Sequence, residues 1–276
     1  MNGKLAIAER IPRYAQKELM TVFKARIVKL SSGLDVSLQL GVTSNGFINA
    51  EIEGSDSEFF VELIKRKMGL APTSLSMIEV DDNFKAFVNL INANRQSIEV
   101  EIGPASTNVK SEIVKEALIA QLCDGKNIAV DRVAQAYCIQ EGTPILVRIR
   151  CIDPERGQIT AWISDDQVAR FDQWRRERTH RIIAVGGSHE KLNEAIRLSK
   201  VQRDIIQTEE LSFTANSLVC KLGTDAPGII AKMGHYVREF KLYAFLPERL
   251  DKLRTGLSNN RFLIKADHRR TSPWTK

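Results

Sequence analysis

The sequence predicts an α+β protein of several small domains built from antiparallel sheet units. Its 276 residues are enough for two or three compact units. Short segments of alternating apolar and polar residues recur between turn signals, and segments with helical apolar spacing separate them. We expect a sheet–helix domain, a barrel with a helical insertion, an α/β domain and a basic tail. Their expected bounds are 1–70, 71–180, 181–248 and 249–276.

Composition excludes disorder as the main state and argues against a membrane protein. The chain is 43% hydrophobic and 27% charged, which is typical of globular proteins in water. No stretch approaches the roughly 18 consecutive apolar residues of a membrane span. Glu9, Arg10 and Arg13 lie where a signal peptide would have its apolar core. We expect a cytoplasmic protein with no membrane partner.

The cysteines predict neither a metal site nor a disulfide framework. Cys123, Cys138, Cys151 and Cys220 are widely spaced, without a CxxC pair. We expect all four to be reduced and buried as small hydrophobic residues.

Residues 1–70 are predicted to form a small antiparallel sheet followed by a helix. The predicted strands cover residues 23–30, 36–40 and 47–50. Asn45-Gly46 is the strongest short signal for a hairpin in this region. Ser55 and Glu58 have the spacing of a capping box, so a helix is expected to begin there.

The middle of the chain predicts a small barrel. Its expected strands cover residues 84–90, 97–102, 145–150 and 158–163. Apolar spacing between Ser106 and Leu122 predicts a helix, and a second short helix is expected over Val130 to Tyr137. Short antiparallel strands on both sides of a helical insertion favour a barrel of the OB type.

A helix beginning after Ser164 carries most of the candidate nucleic-acid ligands. Guanidinium groups beside an indole can bind phosphates while the ring stacks on a base. The alternative is that the cations stabilise the helix C-terminus while the ring packs in the core. The candidate residues here are Arg170, Trp174, Arg175, Arg176 and Arg178.

The last third of the chain predicts an α/β unit of the order β-α-β-α-β. Its expected strands cover residues 182–185, 218–222 and 242–245. Gly223 and Gly228 have phosphate-loop spacing, but Ile229 and Ile230 follow where Lys-Ser/Thr is required. A nucleotide-hydrolysing loop is therefore excluded.

No pattern of catalytic or metal-binding residues is present. The four histidines lack metal-site spacing, and the G-x-S-x-G motif of a nucleophile elbow does not occur. We expect no catalytic residue, no metal and no cofactor, and so a protein that is not an enzyme.

Residues 225–237 resemble the helix–GxxG–helix element of KH domains. In those domains a tight loop lets backbone N–H groups approach nucleic-acid phosphates. The corresponding loop would be residues 231–234, which lack the first glycine, so the candidate ligands are Lys232 and Gly234. The alternative is one continuous amphipathic helix over residues 227–240. The resemblance implies a KH-like C-terminal unit.

Three phrases, AQLCDGKNI, ITAWISDDQVARFDQW and LVCKLGTDAPGIIAKMG, resemble an uncharacterised archaeal family catalogued as domain of unknown function 2110. The resemblance covers roughly Phe23 to Arg249 and is most specific over residues 219–234. It implies an archaeal cytosolic source and no established activity, and it brings no catalytic residues to this chain.

The positive charge is concentrated at the C-terminus. Residues 249–276 contain eight basic and two acidic residues, which account for the whole net charge of +6. Such a tail could gain affinity for a polyanion by releasing counterions, with Arg269 and Arg270 as candidate ligands. The alternative is a segment that only increases solubility.

These features favour a non-catalytic RNA-binding protein associated with translation or transcription, whose partners are RNA and a ribosomal or transcription complex. A protein-interaction adaptor is the alternative, because the first 248 residues are neutral and sheet edges can dock on a larger machine. An enzyme acting on a nucleotide or modified RNA would need a deep cleft joining His180, His189 or Asp225.

Overall fold

The computed structural model describes residues 3–104 and 109–255, which form two four-stranded sheets and a closed five-stranded barrel. The first sheet unit comprises β1 (Gly3–Arg10), α1 (Gln16–Leu30), β2 (Ser37–Val42), β3 (Phe47–Glu53), α2 (Ser57–Met68) and β4 (Leu70–Ala71). The barrel comprises β5 (Asn83–Asn92), β6 (Ser97–Glu101), β7 (Lys110–Val114), α3 (Lys115–Leu122), α4 (Val130–Ala136), β8 (Pro144–Asp153) and β9 (Gln158–Ile163). The remaining elements are α5 (Asp165–Glu177), β10 (Arg181–Val185), α6 (His189–Leu198), β11 (Ile205–Ser212), β12 (Ala215–Cys220), α7 (Ala226–Met233), β13 (Lys241–Phe245) and α8 (Pro247–Thr255). The predicted class, α+β with small antiparallel sheet units and a barrel, is confirmed.

The first sheet unit has the connectivity β-α-β-β-α-β. Its strands are ordered β2-β3-β1-β4, and each neighbouring pair is antiparallel. Helices α1 and α2 bring Phe23 and Ile64 into one apolar cluster with Ile7 and Ile48 of the central strands. This is the split β-α-β topology of ferredoxin-like folds.

The strand predicted over residues 23–30 is wrong, because this segment is the second half of α1. Leu19, Phe23 and Ile27 are buried, and their spacing of four residues places them on one helical face. The apolar side chain of Val28 stays exposed on the opposite side. The same residues alternate in polarity, so the segment also fitted a strand pattern.

The barrel has the strand order β5-β6-β7-β9-β8, which closes because β5 also pairs with β8. Strands β7 and β9 are parallel, and the other neighbouring pairs are antiparallel. Helices α3 and α4 lie in the connection between β7 and β8. Val88, Ile98, Ile113 and Val147 are fully buried in its core. The OB-like barrel with a helical insertion is therefore confirmed.

The helix predicted between Ser106 and Leu122 is correct only in its second half. Lys110–Val114 is strand β7, and the helix begins at Lys115. Ile113 has a spacing that suits either element, but it packs in the barrel core. Ring closure requires β7, and this tertiary pairing overrides the local pattern.

The second sheet unit, from β10 to β13, repeats the topology of the first. Its order is β-α-β-β-α-β, and its strands are arranged β11-β12-β10-β13 in antiparallel pairs. The prediction β-α-β-α-β omitted β11. That edge strand contains Gln207, Thr208, Glu209 and Glu210 in succession, so it lacks the apolar alternation that marks a strand.

Both faces of the second sheet are covered. Ile182 and Leu218 pack in the cluster that includes α6 and α7. Ile183, Val185 and Phe245, on the other face, belong to the cluster that fills the barrel and contacts α5. An open sheet face on which bases could stack is therefore not present in this unit as described.

The basic tail does not begin at residue 249 as predicted. Residues 249–255 belong to α8, where Leu250 is fully buried and Leu253 packs on the barrel cluster. Residues 256–276, with the candidate ligands Arg269 and Arg270, lie outside the described residues. The other predicted domain bounds stay predictions. No helix in the described part of the chain is both long enough and apolar enough to cross a membrane.

The three units meet at the carboxylate of Glu9, which is 3% exposed. Its Oε1 accepts a hydrogen bond from Lys85 Nζ of the barrel at 2.7 Å, and its Oε2 accepts one from Phe213 N, between β11 and β12, at 2.9 Å. Burial raises the pKa of this carboxyl group, and the Lys85 ammonium opposes that shift. Next to it, Thr214 Oγ1 donates to Arg10 O at 3.0 Å. One buried carboxylate thus joins β1 to both neighbouring units.

Replacing Glu9 with Ala should lower the free energy of unfolding by roughly 3–5 kcal/mol, because the Lys85 ammonium and the Phe213 N–H would stay buried without partners. Denaturant unfolding of the full chain measures this change. The double variant Glu9→Ala/Lys85→Met should regain part of the loss. The exposed pair Lys65–Glu62 is the control, since Lys65→Ala should cost less than about 1 kcal/mol. A cost for Glu9→Ala as small as that would contradict this account.

The four cysteines are free, as predicted, but one of them is not buried. Burial raises the pKa of Cys123 and Cys220 to about 11 and that of Cys138 to about 12. Cys151 is exposed on β8.

A thiol reagent at pH 8 should therefore modify one cysteine of the native chain, because roughly one in a thousand or fewer of the three buried thiols is ionised at that pH. The number of modified thiols should rise to four in denaturant. Cys151→Ser should abolish the native reaction, whereas Cys220→Ser should leave it unchanged. Modification of two or more thiols in the native state would contradict the burial of Cys123, Cys138 and Cys220.

Candidate nucleic-acid interface

Helix α5 begins where its sequence predicts, after Ser164, and ends at Glu177. Ser164 is the N-cap, and its Oγ accepts a hydrogen bond from Gln167 N at 3.3 Å. Arg178 follows the last turn in the left-handed conformation, with φ of 56°. Arg175 and Arg178, at this end of the helix, lie next to α8.

Two of the predicted phosphate ligands on α5 are paired with an acidic residue of α8. Arg175 Nη1 lies 3.3 Å from Asp251 Oδ1, and Arg178 Nη1 contacts the other oxygen of the same carboxylate. Arg176 is exposed and makes no ion pair among the described residues, while Arg170 is half-buried. Because Asp251 offsets two of the charges, α5 presents less free positive charge than its sequence indicates.

Trp174 cannot stack on a base in this structure, so that prediction is wrong. The side chain is only 4% exposed. Its ring packs edge-on against Phe171 at 5.9 Å and Phe245 at 5.3 Å between centroids, and the Arg181 guanidinium lies 4.7 Å from it. The core alternative considered for this residue is correct.

Trp174→Ala should accordingly lower the free energy of unfolding by about 3–5 kcal/mol, because it leaves a cavity between α5 and the second sheet. Denaturant titration measures the loss. Arg176→Ala, a change on the exposed face of the same helix, should stay within about 0.5 kcal/mol of the parent chain. Equal stability of the two variants would show that the indole does not pack in the core.

The predicted loop at residues 231–234 is not formed. Residues 231–233 are the last turn of α7, and Gly234 has ordinary right-handed helical angles, with φ of −52°. Turns, not a second helix, connect Gly234 to β13. The alternative of one helix over 227–240 is wrong for the same reason, and a KH-type backbone approach to phosphate is not supported. Lys232 nevertheless remains exposed.

Lys232 belongs to a group of exposed cations that sequence reasoning did not assemble. The segment that follows α6 contacts α7 and the residue after β12 through Asp204. Lys221 N donates to Asp204 O at 2.8 Å, and Lys232 Nζ lies 4.0 Å from Asp204 Oδ2. We call this group the basic surface; its members are Arg197, Lys200, Arg203, Lys221 and Lys232.

Ion pairs neutralise little of the basic surface, although the exposed carboxylates of Glu194 and Asp225 lie close to it in the chain. Among the described residues, half-buried Asp204 is the only carboxylate in ion-pair contact with any of its five cations. Glu209 pairs with Arg181 at 2.7 Å, and Glu210 pairs with Arg26 at 2.7 Å, so both are engaged elsewhere. Leu222, 72% exposed, lies beside Lys221.

An exposed aromatic residue on the barrel was also missed. Trp162 of β9 is 37% exposed, and the Arg150 guanidinium lies 4.9 Å from its ring. The strand pattern indicates this exposure, because successive side chains of a strand point to opposite faces. Ala161 and Ile163 point into the barrel, so Trp162 points outward. Asp81 pairs with Arg150 at 2.8 Å, which leaves this patch nearly neutral.

An open cleft of about 690 Å³ lies between the first sheet unit and the barrel. One wall consists of the segment after β1 and the β2–β3 turn, and the other wall consists of β6 and β7. Gly46, with φ of 90°, lets the turn approach Ile11, whose N–H donates to Gly46 O at 2.8 Å. A Cβ at Gly46 would lie 2.7 Å from Ile11 O. The charged lining residues are Arg10, Arg13, Glu99, Glu101 and Lys110.

The structure does not assemble the histidines into a reactive site. Within the described residues, no three metal-ligating side chains lie close enough to hold a metal ion. His180 Nδ1 accepts from Ala226 N at 3.4 Å, and His189 Nδ1 lies 3.1 Å from Asn216 Oδ1. The 690 Å³ cleft is lined by neither histidine nor by Asp225.

A family model matches the C-terminal part of the chain. Residues 179–243 match a family model described as the DUF2110 C-terminal domain. No curated protein matches the chain. Among solved structures, one similar chain comes from the a/eIF2alpha-aDim2p-rRNA complex of Pyrococcus horikoshii OT3, with 13% identity and a TM-score of 0.25 over 56% of this chain and 68% of that chain. A TM-score of 0.25 is too low to support a conclusion about this chain. The basic surface lies within the matched residues.

Proposed function

We propose a non-catalytic role in RNA binding for this chain, whose residues 179–243 match the model of the DUF2110 C-terminal domain. We further propose that it acts in the cytoplasm with a ribosomal or transcription complex. The observation that carries the proposal is the basic surface, where five cations are exposed and, among the described residues, only Lys232 is in ion-pair contact with a carboxylate.

Unpaired surface cations favour a polyanion for a physical reason. Each phosphate that such a cation neutralises releases condensed counterions, and this release supplies affinity at low salt. Contacts of this kind position a nucleic acid without reading its sequence. Arg176, the exposed and unpaired member of the α5 arginines, adds a possible further contact.

The basic surface lacks the groups that catalysis requires. Lysine and arginine side chains in water hold phosphates, but they lack the adjacent base and the desolvated pocket that a nucleophile requires. His180 and His189 each have a structural partner in the fold. These observations support binding without catalysis.

The test is binding of the full chain to a single-stranded RNA oligonucleotide as salt is increased. Combined Lys200→Ala, Lys221→Ala and Lys232→Ala should make the slope of log affinity against log salt shallower by about 2, since each lost phosphate contact removes about 0.7. Lys24→Ala, Lys29→Ala and Arg66→Ala together remove three exposed cations from the first sheet unit and serve as the control. No RNA binding at low salt, or equal effects of the two triple variants, would overturn the proposal.

A second candidate, an adaptor that docks on a larger complex, is favoured by strand β2. This edge strand, SLQLGV, carries no charged side chain that would oppose pairing with another chain. Proteins that still co-purify after nuclease treatment would distinguish this role from RNA binding.

A further inference from the structure

The 690 Å³ cleft between the first sheet unit and the barrel has a composition unlike that of the basic surface. Its volume is within the range of small-molecule sites. Arg10 Nη2 lies 3.4 Å from Glu101 Oε2 and so links the two walls. Asn45 Nδ2 donates to Gly103 O at 3.0 Å, which fixes the β2–β3 turn against the barrel. The cleft is therefore a defined part of the fold.

Several polar atoms at the cleft are buried without a hydrogen-bond partner among the described residues. They include Glu101 Oε2, whose contact with Arg10 is an ion pair without hydrogen-bond geometry, and Ser111 Oγ. Burial raises the pKa of Glu101, and the charges of Arg10 and Arg13 act against that shift. Because an unsatisfied buried acceptor is costly, a ligand that donates to Glu101 would gain binding energy there.

A cation free to hold an anion lies at the mouth of the same cleft. Arg13 Nη2 donates to Ser44 O at 2.7 Å, which orients the guanidinium. Arg13 is exposed, and no described carboxylate is in ion-pair contact with it. Its remaining N–H groups can bind a phosphate in the forked geometry that arginine favours.

An acceptor inside the cleft and a phosphate ligand at its mouth together fit a nucleotide. We propose that the cleft binds a single nucleotide of the RNA chain, with the phosphate on Arg13 and N–H donors of the base on Glu101. Guanine is the best fit, because its N1–H and N2 amino group lie side by side and can both donate to one carboxylate. Uracil has no amino group. This inference rests on the proposed RNA binding and assigns it a base-reading site.

Calorimetric titration of the full chain with GMP, CMP, AMP and UMP at low salt tests the inference. GMP should bind at least tenfold more tightly than UMP. Glu101→Gln should remove most of that preference while leaving UMP affinity within about twofold. Arg13→Ala should weaken all four nucleotides alike, and Arg66→Ala, an exposed arginine on α2, is the matched control.

Equal affinity for the four nucleotides, or a GMP preference that survives Glu101→Gln, would overturn the inference. If Glu101→Gln does not fold, Arg13→Ala still decides, because unchanged GMP binding in that variant contradicts the phosphate contact. Failure here is distinguishable from failure of the proposed function. RNA binding that depends on the basic surface, without any binding of mononucleotides, would reject the cleft alone.

Discussion

A carboxylate buried where three units meet constrains how those units can be arranged. Glu9 requires a donor from the barrel and a donor from the second sheet unit, and it obtains both within 2.9 Å. Displacing either unit would leave a charge unpaired in a low-dielectric interior, which costs several kcal/mol. Apolar contacts alone are non-directional and would tolerate sliding between units. The hydrogen bonds from Lys85 and Phe213 to Glu9 are directional, so they fix the relative positions of the units where apolar contacts would not.

The candidate sites follow from that arrangement. Strand β1 continues from Glu9 to Arg10, so the residues that fix the first unit against the barrel also bring its basic segment to the cleft. In the second sheet unit, Arg181 is 2% exposed and pairs with Glu177 of α5 at 2.5 Å and with Glu209 at 2.7 Å. This second buried charge holds α5 against the second sheet, with Trp174 beneath the guanidinium. Both faces of the second sheet are then covered, and the exposed cations of the basic surface lie on the helix and turn surface around Lys232.

The sequence predicted those parts of the structure that depend on local patterns. Alternation in 145–150 and 158–163 identified two barrel strands, and Ser164 identified the start of α5, because side-chain direction and capping are set within a few residues. The sequence did not predict that Arg178 pairs with Asp251, because the two residues are 73 positions apart and only the tertiary fold brings them together. Trp174 was ambiguous for the same reason, since an indole on a basic helix suits either a core or a base, and only Phe245 and Arg181 from other elements decide.

The two sheet units share the β-α-β-β-α-β topology but differ in the residues of their edge strands. The same sheet order is reached with an uncharged edge strand in one unit, β2, and an acidic one in the other, β11. A topology depends on where apolar residues fall, not on which polar residues separate them. The two units are therefore free to differ in surface charge. Under the proposed function, the basic surface of the second unit would hold a polyanion, while the first unit contributes one arginine-lined wall to a cleft whose other wall carries carboxylates. A polyanion can be held by the former alone, but discrimination between bases needs an acceptor as well as a cation, and the described structure brings these together where the first unit meets the barrel.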